Sequence, residues 1–294
     1  MNGSHPLRAV LLVLLALCLF AALDATAKYL AARYPVAWLV WGRYAVHLLF
    51  MLIVFGPRLG RSLIATGKPV RQVLRALMLT GVTAFNIAAL TTLPLAETTA
   101  ILFLAPILVA MLAGVWLGET VGRFRTAMAL LGFVGVVLIV KPFGGDAGLD
   151  GGGVLYALAA AGCYAVYQLM TRQLSPTENT LTMVFYTALT GTVAMTLGMP
   201  WFVTLSIPSW TDALLIASLG LYGGVGHYLL TLAFRDAPAS TLSPLLYVQL
   251  LWATLLGAVL FGNLPDLLGV TGMLMIAGGG VAIALRERQR ARRP

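Results

Sequence analysis

The stretch PLAETTAILFLAPILVAMLAGVWLGE, Pro94 to Glu119, returns later in the chain as PASTLSPLLYVQLLWATLLGAVLFGN, Pro238 to Asn263. The two copies lie 144 residues apart and align without a gap. Pro94 meets Pro238, Leu102 meets Leu246, Leu112 meets Leu256, Val115 meets Val259 and Gly118 meets Gly262. The same offset sets Gly135 on Gly279, Val137 on Val281 and Ile139 on Ile283. Upstream it sets Phe20-Ala21 on Tyr164-Ala165, Asp24 on Gln168, Lys28 on Arg172 and Leu30 on Leu174. A constant offset over most of a half makes the chain two copies of one unit, 1–145 and 146–294. A weak internal repeat in an apolar chain is the pattern of many transporters. The boundary falls in the glycine-rich linker 142–153.

The composition excludes a soluble globule. Hydrophobic residues make up 60% and charged residues 10%, against roughly 45–50% and 25% in ordinary domains. Ten segments are each long and apolar enough to cross a bilayer as a helix: 7–27, 35–55, 72–92, 95–117, 123–140, 153–171, 181–201, 211–233, 239–261 and 267–285. The expected fold class is therefore an all-α polytopic membrane protein. Each half holds five spans, an odd number, so the second half starts on the side opposite to the first. The two halves are then inverted repeats with a pseudo-two-fold axis in the membrane plane. Arg8 followed by a Leu-rich run resembles a secretion signal. The repeat, however, matches residues 12–31 to 156–175 in mid-chain, so the first span is structural.

The net charge of +9 does not point to nucleic acid, because the positive charges sort by loop. Fifteen of the nineteen lysines and arginines, Arg75 among them, fall in alternate segments with the N-terminus; Lys28, Arg33 and Lys141 fall in the others, and Arg43 lies within a span. This is the positive-inside bias, which sets both termini in the cytoplasm. The basic tail from Arg286 reads as a topology anchor at anionic lipid. Cys18 and Cys163 both lie in spans and imply neither a disulfide nor a metal site. No cofactor is expected.

Ten spans in two repeats, Arg43 early in span 2, Leu117-Gly118-Glu119 closing span 4 and the run Leu131–Ile139 after it complete a pattern. The chain resembles the drug/metabolite transporter superfamily, in its EamA branch. The second repeat departs by ending in Asn263, where the family has an acid. The resemblance implies a secondary transporter in the bacterial inner membrane. It implies a small-molecule substrate, namely amino acids, aromatic or otherwise apolar ones included, and related metabolites. The partners are that solute and the lipid bilayer, with the protein a monomer or a homodimer.

The residues themselves suggest where a solute binds. An intramembrane arginine is costly, by roughly 2.5–3.5 kcal/mol on insertion scales, and usually faces a cavity. Arg43 is read as the substrate anchor, against snorkelling to the interface. His47 lies one turn deeper on the same face. Asp24 is the one acid well inside a span; Lys28, four residues on, is in position to pair with it. Thr83 and Asn86 on span 3, Thr99 and Phe103 on span 4, Tyr164 and Gln168 on span 6, His227 on span 8, and Ser243 and Tyr247 on span 9 complete the expected pocket lining. Spans 5 and 10, almost free of polar residues, brace the outside. Glu97 is read as a favourable acid at a helix start. Pro106, Pro244 and the glycines near Tyr222–Gly226 are expected bends, with close packing the alternative at the glycines. An intramembrane enzyme is disfavoured, since His5, His47 and His227 are the only histidines and no nucleophile–base set is visible. A channel is the other rival, without a visible ring of filter residues.

Overall fold

The computed structural model of the protein describes residues 6–117, 123–141, 149–198, 208–236 and 242–291. Among these there is no strand. Eleven helices follow in order: α1 (Pro6–Ala31), α2 (Val36–Leu59), α3 (Pro69–Leu90), α4 (Leu95–Leu102), α5 (Ala105–Leu117), α6 (Arg123–Val140), α7 (Gly151–Leu174), α8 (Thr180–Gly198), α9 (Trp210–Asp236), α10 (Val248–Phe261) and α11 (Leu267–Ala291). Seven described helices are long and apolar enough to cross a membrane, and three shorter apolar ones cover Leu95–Val109, Thr126–Val140 and Leu245–Phe261.

The helix ends follow local chemistry. Pro35 and Pro94 precede α2 and α4, and Pro69 opens α3, where a missing N–H costs nothing. Asp150 caps α7 by accepting from the Gly153 amide at 2.6 Å. The helix thus begins at Gly151, inside the expected linker; residues 142–148 of that linker lie outside the described residues. α10 stops at Gly262, whose φ of 67° is left-handed.

Packing exchanges the two halves. α1 packs on α9, and α3 on α7; α2 packs on α9, and α3 on α8; α1 packs on α10, and α7 on α4 and α5. Shifting both partners of one pair by one repeat gives the other pair. Two groups of helices result, each mixing both halves: α1, α2, α9 and α10 against α3, α4, α5, α7 and α8. α2–α8 and α6–α11 contacts join them.

Lipid gives helices no hydrophobic reason to associate, so close approach must supply the adhesion. At Gly220 of α9 an added Cβ would stand 2.8 Å from Arg43 O and 2.9 Å from His47 N. At Gly226 it would meet Phe20 at 2.6 Å. α9 nevertheless runs unbroken from Trp210 to Asp236. The helix is thus not broken at Tyr222–Gly226, and these glycines serve close packing against α1 and α2. Gly135 and Gly272 play the same part between α6 and α11, backbone against backbone.

The breaks fall instead in α4–α5 and in the approach to α10. The chain turns at Phe103–Leu104, just before Pro106, and the equivalent place in the second half is a 3-10 turn, Ser243–Tyr247, containing Pro244. Proline removes the i→i−4 bond, which the turn at 103–104 accommodates.

Two charges depart from expectation. Lys28 does not pair with Asp24; its ammonium donates to Leu90 O at 2.9 Å and Leu93 O at 2.6 Å, satisfying carbonyls at the end of α3. Arg75, counted by its sequence position with the inner loops, is 2% exposed. It donates to Met183 O, to Thr187 Oγ1 at 2.9 Å and to Thr171 Oγ1 at 3.4 Å, with its guanidinium 5.1 Å from the Tyr167 ring.

Candidate functional site

α3 carries a polar stripe at spacings of three, eight and three, close to one helix face: Gln72, Arg75, Thr83 and Asn86. Its upper part holds two charged side chains from the facing helices. Arg43 Nη1 of α2 donates to Thr83 Oγ1 at 2.8 Å. Asn86 Nδ2 donates to Asp24 Oδ1 of α1 at 3.0 Å. Tyr44, next to Arg43 and 1% exposed, shares its hydroxyl with Thr83 Oγ1 at 2.8 Å and donates to Leu79 O at 2.9 Å. Among the described residues Asp24 and Arg43 form no ion pair with each other.

Both charges line a cavity of about 150 Å³ between the two helix groups. Its wall comprises Leu17, Phe20, Leu23 and Asp24 of α1, Arg43 of α2, Leu79, Val82, Thr83 and Asn86 of α3, and Leu102, Phe103 and Pro106 around the break in span 4. Tyr164 and Gln168 of α7, His227 and Leu230 of α9, Leu246 and Gln249 close it. Among the described residues none of α6 or α11 is in the wall.

Eight residues expected from sequence thus meet in one place: Asp24, Arg43, Thr83, Asn86, Phe103, Tyr164, Gln168 and His227. Three do not line it. His47, 4% exposed, lies behind the wall against Gly224 of α9. Thr99 turns its hydroxyl back to Leu95 O at 2.8 Å, a bond that satisfies it within its own helix. Tyr247 packs its ring 5.0 Å from Phe103, and its hydroxyl points at Gly280, where any side chain would overlap it. The side chain of Ser243 lies outside the described residues. Glu97, 9% exposed, sits in the first turn of α4, away from the cavity. Glu119 lies outside the described residues.

The sequence reading passed over Phe20 and Gln249. Phe20 was within reach of the repeat, because it is the partner of Tyr164. Five such pairs line the cavity together: Phe20 with Tyr164, Asp24 with Gln168, Thr83 with His227, Asn86 with Leu230 and Leu102 with Leu246. Gln249 matches Ala105, so the offset held no signal for it. The lining is paired at these positions and asymmetric in charge. Asp24 and Arg43 both come from the first half; their partners under the offset are Gln168 and Thr187. No group of metal-binding side chains occurs among the described residues.

A bundle of long apolar helices in two exchangeable halves, enclosing a cavity with charged anchors, defines a helical membrane transporter. The chain belongs to the EamA-like transporter family, whose model matches residues 7–141 and again 151–285. Both ends of the two matches are 144 residues apart. Among its relatives is an S-adenosylmethionine uptake transporter of Rickettsia prowazekii, 27% identical over 90% of this chain and 88% of that protein. A riboflavin transporter of Rhizobium johnstonii is 29% identical over 99% of this chain and 96% of that protein. A riboflavin transporter of Vibrio cholerae is 27% identical over 89% and 87%. One solved crystal structure superposes with a TM-score of 0.67 over 97% of this chain and 99% of the other at 23% identity, a likeness of fold.

Proposed function

We propose that this protein is a secondary carrier of the bacterial inner membrane that exports solutes bearing an α-amino-acid head group, apolar and aromatic amino acids among them. It crosses the membrane ten times in two inverted five-helix repeats and works by alternating access. One observation carries the reading: Asp24 and Arg43 line the same cavity, each hydrogen-bonded to a neutral side chain of α3 and neither paired with the other. Two opposite charges held apart inside a bilayer are expensive for the empty protein and complementary to a zwitterion. Arg43 can hold a carboxylate bidentately, and Asp24 can accept from an ammonium. The rest of the wall is aromatic and aliphatic, the setting for an apolar side chain. S-adenosylmethionine, named for the Rickettsia relative, carries the same head group, so the reading covers amino-acid-derived metabolites as well. Uptake, the direction in that relative's name, is the alternative direction.

A second reading has an observation of its own. Phe20, Phe103, Tyr164 and His227 contribute four rings to the cavity wall, and two relatives carry the name riboflavin transporter. A flat heteroaromatic vitamin would use those rings and has no carboxylate–ammonium pair to match Arg43 and Asp24.

Counterflow in proteoliposomes separates the readings. Labelled apolar amino acids, S-adenosylmethionine and riboflavin are each loaded against their unlabelled forms. Amino-acid or S-adenosylmethionine counterflow is expected. It should fall by roughly tenfold or more in Arg43→Ala and Arg43→Lys at unchanged membrane content, as loss of a charge-assisted bond implies. Riboflavin counterflow alone sinks the proposal.

A further inference from the structure

α3 is held by different partners at its two ends. At the end near Pro69, Gln72 Nε2 donates to Glu178 Oε2 at 3.2 Å and Arg75 is fixed to α7 and α8, members of its own group of helices. From Leu79 onward every polar bond of α3 to another helix crosses to the opposite group. Tyr44 reaches Leu79 O, Arg43 reaches Thr83, Asn86 reaches Asp24 and Lys28 reaches Leu90 O. Two of these cross-ties use the same charged atoms that face the cavity. Thr83 occupies the Arg43 guanidinium where a carboxylate would bind, and Asn86 occupies the Asp24 carboxylate where an ammonium would bind.

We propose that Thr83 and Asn86 are placeholder ligands: they fill the substrate positions in the empty carrier, and by doing so bolt the outer half of α3 to α1 and α2. The idea rests on the amino-acid reading above. A zwitterion offers Arg43 and Asp24 full charges in place of neutral dipoles, and charge-assisted bonds are roughly twice as strong as neutral ones. Substrate therefore displaces both side chains from their charges, and the outer half of α3 is left with the Lys28 tie and the pivot that Tyr44 makes with Leu79 O and Thr83 Oγ1. Arg75 and Gln72 keep the inner half of α3 with α7 and α8 throughout. Occupancy of the site and release of the outer end become one event. Thr83 and Asn86 are positioning residues: they touch the charged anchors and act on conformation through them.

The test uses Ile87→Cys, a position on the outer half of α3 buried against α1 and α2 and outside the cavity wall, in a Cys18→Ala and Cys163→Ala background. A membrane-impermeant maleimide is applied to right-side-out and to inside-out vesicles. Without any solute, Thr83→Val, which loses bonds to Arg43 and Tyr44, and Asn86→Leu, which loses the bond to Asp24, should each label roughly fivefold faster or more from the outer face, the shift expected for at least one lost hydrogen bond. Labelling from the inner face should not rise. A mixture of the common L-amino acids should speed outer labelling of the parent and leave the two variants unchanged. Two variants that label at the parental rate overturn the proposal. So does equal acceleration from both faces, which marks general loosening. Faster variants beside a parent that ignores the amino acids support the bolts and overturn the amino-acid reading. The two failures are thereby distinct.

Discussion

Lys28 shows how a bundle interior reorders the preferences of single residues. On an isolated helix an Asp24–Lys28 pair contributes about 0.2–0.5 kcal/mol. In the folded protein the same ammonium satisfies two carbonyls of the α3 terminus and stands 5.6 Å from the Phe261 ring. Hydrogen bonds to charged groups contribute about 1.5–3 kcal/mol, so the carbonyls win and Asp24 takes Asn86 instead. Lys28→Met should therefore lower the unfolding midpoint in detergent by roughly 5–10 °C, while Lys28→Arg loses much less. An unchanged midpoint for Lys28→Met would mean that the two carbonyls cost nothing when bare. Arg43 and Asp24 could be read from sequence because a charge amid apolar residues has few explanations. Arg75 could not: near a helix start, a loop charge and a buried clamp share one pattern. Only the hydroxyls and the carbonyl that receive it, on α7 and α8, decide between them.

At the scale of elements the hydrophobic period placed the helices well, while the internal punctuation was ambiguous. Glycine lowers helix stability and also permits close approach, and a sequence does not say which use applies. The partner decides it. Gly220 faces backbone atoms of Arg43 and His47, which have no rotamer to move aside. Gly220→Ala should accordingly push α9 off α2. The expected cost is about 1–3 kcal/mol, as for overpacking, seen as lower yield of folded protein in detergent. Gly278 meets nothing within 4 Å, so Gly278→Ala is the matched control and should be neutral; equal losses for the two would refute the contact argument. The prolines were more legible than the glycines. Pro106 and Pro244 both mark real departures from α-helix, because proline has no second structural use inside a span. Thr99 and Tyr247 shared the apparent face of the pocket residues. The break at Phe103–Leu104 and the 3-10 turn before α10 change the helical phase, and a strict 3.6-residue count misplaces side chains on either side of such breaks.

At the scale of the whole molecule the repeat was the most legible feature, and the structure adds what the repeat does not conserve. The packing pairs exchange under the offset, yet the chemistry at exchanged positions differs. Gln72, Arg75, Tyr167 and Thr171 build a polar clamp around α3; their equivalents Ile216, Leu219, Leu23 and Ala27 form one apolar cluster around α9. The offset aligned these positions without revealing that one end is polar and the other dry.

The same comparison sharpens the expected orientation. Removing Arg75 from the fifteen inner charges leaves fourteen, against Lys28, Arg33 and Lys141 on the other side. Each of those three has a structural partner. Lys28 holds the α3 carbonyls, Arg33 meets Asp212 at 3.3 Å, and Lys141 meets Asp266, whose carboxyl it holds below the usual range. A depressed carboxyl keeps its tie above the ordinary aspartate pKa of about 3.9 and loses it only as pH falls further, so the Lys141–Asp266 pair persists at neutral pH. Inner charges have partners as well, Lys68 with Thr177 and Arg286 over the Phe124 ring among them, and the asymmetry of fourteen to three stands as the topological signal. Both termini are thus predicted cytoplasmic, and the 142–148 segment external. Asp146→Cys, in a background without Cys18 and Cys163, should react with an impermeant maleimide in intact cells. A cysteine at Gly67, in the basic loop between α2 and α3, should react only after permeabilisation. The reverse pattern would invert the whole assignment, and with it the side on which the Lys28 end of α3 opens.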